Sequence, residues 1–170
     1  VEKHEERKEI DCKSYIEELL DMHEKYSALV TVHFEKHNLF LDALKDAFTS
    51  FVNKKLKSTN AQTGATQSST AELLSTYCDK LMRDSKMEED DLDEITDKVV
   101  KLFGYIGHKD MFLEFYRRQL SKRLLVYTKP NIDAEKNIIT KLKMRQGASF
   151  TSKLEGMIKD KNLSVELQQR

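Results

Sequence analysis

The sequence predicts an almost wholly α-helical protein, and three observations support that fold class. Apolar residues recur at three- and four-residue steps over most of the chain, which is the period of one helix face. Proline occurs once and glycine five times among 170 residues, a composition that favours long helices over strands and turns. No segment alternates polar and apolar residues between turn signals, so no strand is predicted.

Two helices are predicted before residue 57, and we expect them to pack as an antiparallel pair. The first runs from Lys13 to Glu35, and Asn38 is the expected N-cap of the second. The apolar face of the first helix comprises Ile16, Leu19, Leu20, Tyr26, Leu29, Val30 and Phe34. That of the second comprises Leu39, Phe40, Ala43, Leu44, Ala47, Phe48, Phe51, Val52 and Leu56.

The segment from Lys57 to Ser69 contains no large apolar residue. A segment that buries nothing cannot offset the entropy lost when it becomes ordered. We therefore predict a flexible linker, with high mobility over residues 59–67. The predicted domain boundary lies in this segment, between residues 1–66 and residues 67–170.

Each further helix is predicted from a start or stop signal. Ser69 and Glu72 have the spacing of a capping box, and the helix that they open should end near Asp84. The acidic run 88–94 suits the positive end of a helix dipole, and that helix is expected to stop at Gly107.

The third helix after the linker should follow Asp110 and end before Pro130, because the residue before a proline is pushed out of helical conformation. Asp133 is expected to cap the next helix, and Gly147 to end it. A short helix over residues 150–158 and another capped by Ser164 complete the predicted elements. The expected bundle core includes Phe103, Phe112, Phe115, Leu124 and Leu142, with Phe48 and Phe51 sealing the helix pair before the linker.

Composition narrows the classes of function. The chain has 29 basic and 29 acidic residues, so it has no overall field that attracts nucleic acid or an anionic membrane. No stretch approaches the roughly 20 apolar residues that span a bilayer, and the charged N-terminus lacks a signal-type apolar segment. We expect a soluble intracellular protein. In that setting Cys12 and Cys78 are predicted to be reduced, structural thiols.

Two short patterns resemble ligand-binding motifs. His33 and His37 lie four apart on a helix, a spacing that can chelate zinc, but Phe34 occupies the position where the zincin motif has glutamate. We therefore favour exposed histidines and predict no metal. Gly104 and Gly107 match the Gly-x-x-Gly loop of the KH fold, but with no strand nearby they are better explained as the end of a helix.

The densest basic cluster contains Arg117, Arg118, Lys122 and Arg123. The cluster is either a solvated helix face or a patch that receives an acidic segment of a partner. Cys78 lies on the apolar face of its helix, and no nucleophile elbow or phosphate loop occurs. We therefore predict no catalytic residue and no cofactor, and the chain is interpreted as a scaffold.

Four ordered segments resemble the cullin family, the elongated scaffolds of multisubunit ubiquitin ligases. They are AELLSTYCDK at 71–80, VVKLFGYIGHKDMFLEFYRRQLSKR at 99–123, DAEKNIITKLK at 133–143 and FTSKLEGM at 150–157. The resemblance extends to residues 15–52 and therefore covers most of the chain. It implies that residues 13 to about 57 are the closing helices of the third cullin repeat. Residues 68 to about 160 would be the four-helix bundle that follows.

The resemblance also implies partners, which would bind parts of a full-length cullin with no counterpart here. These are a RING-box protein, a SKP1-type adaptor with its F-box receptor and, indirectly, the E2 enzyme. The adaptor-binding repeat, the RING-holding sheet and the winged-helix region with its NEDD8-acceptor lysine all lie outside the resemblance. The chain would be the rigid, non-catalytic link between the stalk and the RING-binding region of an SCF-type ligase, and the resemblance implies a protein of the cytoplasm and nucleus.

Two other classes of function stay open at this point. A free-standing helical adaptor would leave an apolar face exposed after folding, and that face would bind a peptide helix. A nucleic-acid binder would need the basic cluster to dominate the surface potential.

Overall fold

In the computed structural model, residues 11–54, 56–57, 67–84, 87–127 and 130–168 are described, and they confirm the all-α prediction. The helices are α1 (Cys12–His33), α2 (Asn38–Val52), α3 (Thr70–Arg83), α4 (Glu89–Phe103), α5 (Lys109–Val126), α6 (Ile132–Gln146) and α7 (Ala148–Gln168). The strand pairing found in these ranges joins β1 (Leu56–Lys57) to β2 (Gln67–Ser68) in antiparallel register. The predicted mobile segment otherwise falls on residues 58–66, outside the described residues.

The first two helices form the expected pair, with α1 packed against α2. Between them the chain reverses through Glu35 and Lys36, which adopt left-handed φ values of 47° and 55°. The prediction that Asn38 is the N-cap is wrong by one residue, since His37 is the cap and Asn38 begins the helix. His37 Nδ1 accepts a hydrogen bond from the backbone N–H of Leu39 at 3.3 Å.

The capping signals of α3 and α4 are confirmed, but the predicted end of α4 is wrong. Ser69 Oγ accepts from the N–H of Glu72 at 3.2 Å, and acidic residues occupy the first turn of α4. The helix ends at Phe103 rather than at Gly107. Backbone N–H groups of residues 104–106 each bond to the carbonyl three residues earlier, which tightens the last turn and ends the helix.

Two further corrections concern the C-terminal helices. Asn131, not Asp133, caps α6, because its Oδ1 accepts from the N–H of Ala134 at 3.0 Å. Gly147 ends α6 as predicted, with a φ of 89° that favours glycine. The two short helices expected after it are one continuous helix, α7, and Ser164 lies inside it. Gly156 does not interrupt α7, since one glycine inside a helix costs only about 1 kcal/mol.

One hydrophobic core joins the residues on both sides of the linker. Helix α1 packs against α3 and α4; α3 packs against α4 and α5; and α6 packs against α4 and α7, while α7 also packs against α5. Of the predicted core residues, Phe48, Phe103, Phe112, Leu124 and Leu142 are buried. Phe51 and Phe115 are only half-buried, because Phe51 lies at the edge of the core and Phe115 borders a surface cavity. The division at residues 66 and 67 stays a prediction.

Phe112→Ala should lower the free energy of unfolding by about 3 to 5 kcal/mol, because the site is enclosed and cannot collapse around the lost ring. Phe112 is 0% exposed, and its ring centroid lies 4.9 Å from that of Phe103. Denaturant unfolding measures the change. Leu125→Ala on the same helix is the control, since Leu125 is 79% exposed and its loss should change stability by about 0.5 kcal/mol or less. Equal effects of the two substitutions would contradict this assignment of the core.

Candidate functional site: buried charges and the junction of helix pair and bundle

Helix α5 turns an arginine towards the protein interior. Tyr116, Leu120, Arg123 and Leu124 are buried on it, and their spacing of four, three and one residues places them on one face. Arg123 therefore follows the apolar period of α5. The interpretation of Arg123 as part of a surface cluster is wrong, because its side chain is only 3% exposed.

Three helices supply the groups that surround the Arg123 guanidinium. Its Nε and Nη2 donate to the two oxygens of Glu135 on α6, the latter at 3.1 Å. Its Nη1 donates to Asp79 on α3 at 2.6 Å. Tyr116 on α5 donates its hydroxyl to Glu135 at 2.7 Å, and Arg83 on α3 pairs with Asp79 at 2.8 Å. We call these five residues the buried ion network, in which Arg83 is the exposed member.

The buried ion network has balanced charge, with two guanidinium groups and two carboxylates. Burial opposes the charge on Arg123, but Tyr116, Glu135 and Asp79 outweigh that effect and raise its pKa. Burial, followed by the charge of Glu135, raises the pKa of Tyr116 well above its usual value. Tyr116 is therefore a neutral donor at physiological pH, and each of the two buried charges has a partner.

The sequence contains a signal for this network that the prediction missed. Glu135 lies three and four residues before Ile138 and Ile139, so it occupies the apolar face of α6. Arg123 likewise lies on the apolar face of α5, three residues after Leu120 and one residue before Leu124. Two opposite charges that both follow an apolar period indicate a buried pair.

The rest of the basic cluster lies at the surface. Arg117 pairs with Glu114 at 2.9 Å, and Arg118 approaches the same carboxylate at 3.9 Å. Lys122 is exposed. We call Arg117, Arg118 and Lys122 the basic patch. Its binding to an acidic partner stays a prediction. The alternative is a solvated helix face, in which Glu114 already supplies the opposite charge for Arg117 and Arg118.

The loop after α4 contacts both helices of the pair. His23 on α1 forms a hydrogen bond of 2.8 Å between its Nε2 and the Tyr105 hydroxyl. The rings of His23, Tyr105 and Phe48 lie with centroids 5.0 to 5.2 Å apart. Asn53, just after α2, donates to the Tyr105 carbonyl and accepts from the Gly107 N–H. Both helices of the pair thus contact one short loop of the bundle.

The predictions for Gly104 and for the two cysteines agree with their surroundings, whereas Gly107 lies in the loop beyond the end of α4. Gly104 ends α4, and a Cβ there would lie 2.7 Å from Arg145 Nη1. Glycine thus lets a cation approach the carbonyl end of the helix, where it is favourable. Cys12 and Cys78 are free and buried. Burial raises the pKa of Cys12 to about 11 and raises that of Cys78 still further, so neither thiol is a nucleophile at neutral pH.

His33 and His37 are exposed, and His37 caps α2. Within the described ranges, no group of three or more His, Cys, Asp or Glu side chains could hold a metal ion. In the part of the chain that the structure describes, no helix is both long and apolar enough to cross a membrane.

Comparison with known proteins identifies relatives along most of the chain. The family model described as "Cullin alpha solenoid domain" matches residues 1–168. Cullin-1 of Oryza sativa subsp. japonica is 42% identical over 149 residues, which cover 86% of this chain and 19% of the relative. Cullin-2 of Arabidopsis thaliana is 41% identical over 157 residues, covering 90% of this chain and 20% of the relative.

A third relative, Cullin-4A of Mus musculus, is 38% identical over 157 residues, or 91% of this chain and 19% of the relative. The chain therefore spans about a fifth of the length of the curated relatives that it matches.

Arg123→Met should lower the free energy of unfolding by about 3 to 5 kcal/mol, because it leaves Glu135 buried without a counter-charge. Adding Glu135→Gln should restore part of that loss, since the amide still accepts from Tyr116 and carries no charge. The control is Arg117→Met, whose exposed pair with Glu114 should contribute about 0 to 1 kcal/mol. Denaturant unfolding that shows equal losses for Arg123→Met and Arg117→Met would refute the network.

Stability should also depend on the protonation of His23. Burial, followed by the charges of Lys101 and Arg145, lowers the pKa of His23 below its usual 6.5. The unfolded chain then binds this proton more readily than the folded one. The contribution to stability is therefore complete above pH 6.5 and is lost as the pH falls through the lowered value.

The test is the melting temperature of wild type and His23→Gln between about pH 8 and about pH 5, the range in which histidine titrates. His23→Gln should flatten the decrease on the acidic side. His33→Gln, at an exposed position, should leave the decrease unchanged. Identical pH profiles for wild type and His23→Gln would show that His23 does not contribute.

Proposed function

Because this chain belongs to the cullin family, we propose that it is a rigid scaffold segment of a cullin-RING ubiquitin ligase. It would join the adaptor-binding stalk of the full-length protein to the region that holds the RING subunit. The observation that carries the proposal is the single core, which runs from α1 to α7 and is tied across α3, α5 and α6 by the buried ion network. Densely packed, cross-linked helices keep their two ends at a fixed separation.

The proposed role requires no chemistry from this segment. Both cysteines are buried thiols of raised pKa, and the buried carboxylate Glu135 is already paired with Arg123 and Tyr116. In our proposal, the RING subunit and a charged E2 enzyme supply the transfer step. A SKP1-type adaptor with its F-box receptor supplies the substrate in the SCF-type version. The complex would act in the cytoplasm and nucleus.

A pulldown tests where the RING-box protein binds. We expect it to bind a version of this chain that continues past Arg170, and not the 170-residue chain itself. Binding to the 170-residue chain itself would contradict the proposal that the RING subunit binds a different region of the full-length protein.

The scaffold role is tested in the full-length ligase by separating two activities. Arg123→Met loosens the bundle, so it should slow ubiquitin transfer to a receptor-bound substrate, which depends on the distance that the scaffold holds. RING-stimulated discharge of the E2 to free lysine does not depend on that distance and should be unchanged. Lys153→Met, at an exposed position, is the control. Equal loss of both activities in Arg123→Met would contradict the scaffold role.

A helical adaptor is the second candidate function, because the far end of the helix pair exposes large apolar residues. Val32, Leu39, Phe40 and Leu41 are each 40% or more exposed. Such a face is typical of a protein-binding surface. The rate at which a thiol reagent modifies Leu39→Cys distinguishes the candidates. Protection in the full-length protein favours the scaffold, and equal rates in the full-length protein and the chain favour the adaptor.

The basic patch is proposed to receive an acidic segment of a partner during ubiquitin transfer. Reversing Arg117 and Arg118 to glutamate should then slow association, and the difference from wild type should decrease with salt, because rim charges act mainly on encounter rate. The transfer rate is measured across ionic strength, with the reversal of Lys153 and Lys159 as control. A lower melting temperature with unchanged salt dependence would show that the patch has only a structural role.

A further inference from the structure

The helix pair α1 and α2 is an arm that is attached to the bundle at its two ends. The first half of α1 is embedded, with Tyr15, Ile16 and Leu19 no more than 1% exposed. Residues 31–47, around the reversal of the chain, are exposed apart from the half-buried Leu44. The chain is buried again at Phe48 and Val52, where α2 returns to the bundle. The direction of the arm therefore depends on the embedded half of α1, on the bond of His23 to Tyr105, and on the end of α2.

The attachment at the end of α2 is polar. The Val52 carbonyl accepts from Thr70 Oγ1 at 2.7 Å, a buried bond to the first residue of α3. Asn53 Nδ2 donates to the carbonyls of Thr49 and Tyr105, each at 2.8 Å. Its Oδ1 accepts from the Gly107 N–H at 2.7 Å. We call Val52 and Asn53 the clasp, because these two residues bind α3 and the loop before α5 at the same time.

Apolar packing does not fill the space beside the clasp. A surface cavity of about 680 Å³ opens there, bordered by Val52, Asn53, Thr70, Ile106 and Phe115 among others. At the start of α1, by contrast, large side chains interlock and leave little freedom. With a void on one side, packing restrains the end of α2 incompletely. The directional hydrogen bonds of Asn53 add the missing restraint, since they weaken steeply when the geometry changes.

We propose that Asn53 is a positioning residue that sets the angle between the helix pair and the bundle. The inference rests on the proposed scaffold function, because an angle at this junction matters only if the two sides hold different parts of a larger assembly. Without the Asn53 carboxamide the arm keeps its embedded end and pivots about it. Helix α2 has 15 residues and is therefore about 22 Å long, so a rotation of about 10° moves its outer end by about 4 Å.

The distance between two spin labels measures this movement in the 170-residue chain. One label is placed at Asp42→Cys near the outer end of α2, and the other at Lys159→Cys on α7; both positions are exposed. The native thiols are buried and protonated, so they do not compete for the reagent. Asn53→Ala should broaden the distance distribution or shift its mean by about 4 Å or more, the displacement expected for a rigid arm of this length.

A second variant disturbs the clasp without altering Asn53. A Cβ at Gly107 would lie 3.1 Å from Asn53 Oδ1, so Gly107→Ala should push the carboxamide away by a few tenths of an ångström, weaken its hydrogen bonds and broaden the distance distribution in the same assay. This variant keeps the test decisive even where Asn53→Ala folds poorly, which circular dichroism detects.

Asn137→Ala is the matched control. Asn137 on α6 donates to Asp93 on α4 at 2.5 Å. Its replacement also removes a hydrogen bond that a carboxamide makes between two helices, but both of these helices belong to the bundle. Its melting temperature should change as that of Asn53→Ala does, while the label distance stays at the wild-type value. Unchanged distances in both clasp variants, or equal broadening in Asn137→Ala, would overturn the proposal. Neither readout involves ubiquitin transfer, so the result is independent of the proposed ligase function.

Discussion

A charged guanidinium inside the bundle is the constraint on which the rest of the arrangement depends. Arg123 is stable there only while Glu135 and Asp79 stay within hydrogen-bond distance, and those residues belong to two other helices. Sliding one helix along another by a single turn would move a partner by about 5 Å and leave a buried charge unpaired. Apolar side chains tolerate such a slide far better, so the network selects one register of α3, α5 and α6.

Packing and directional bonds contribute differently in the bundle and at its junction with the helix pair. Inside the bundle, the core supplies most of the stability and the ion network supplies the register. Where α2 returns to the bundle, only Phe48 and Val52 of that helix are buried in the core, and hydrogen bonds to the loop between α4 and α5 add to the positioning. A segment built in this way is stiff where helices interlock and adjustable at one junction, which suits a part that separates two binding regions.

Periodicity was sufficient to predict the helical fold and most of the core, because burial of one helix face is a local property of the sequence. It failed where a tertiary contact decided the outcome. Arg123 was assigned to the surface because charge usually indicates exposure, whereas partners 12 and 44 residues away make its burial possible. Asn53 gave no signal, since its bonding partner Gly107 is 54 residues away. Helix ends differ from the predicted ones by one to four residues where turns or neighbouring caps compete, and the break expected between residues 158 and 164 is absent because α7 continues through it.

The helix pair and the bundle share one core and should therefore form one cooperative unit. Native-state hydrogen exchange measures this directly, through the free energy at which individual buried amides open. We predict that Ile16 and Leu19 in α1 open with the same free energy as Leu120 in α5 and Ile139 in α6, equal to the free energy of global unfolding. Opening of the α1 amides at a much lower free energy, with the bundle still protected, would contradict the claim.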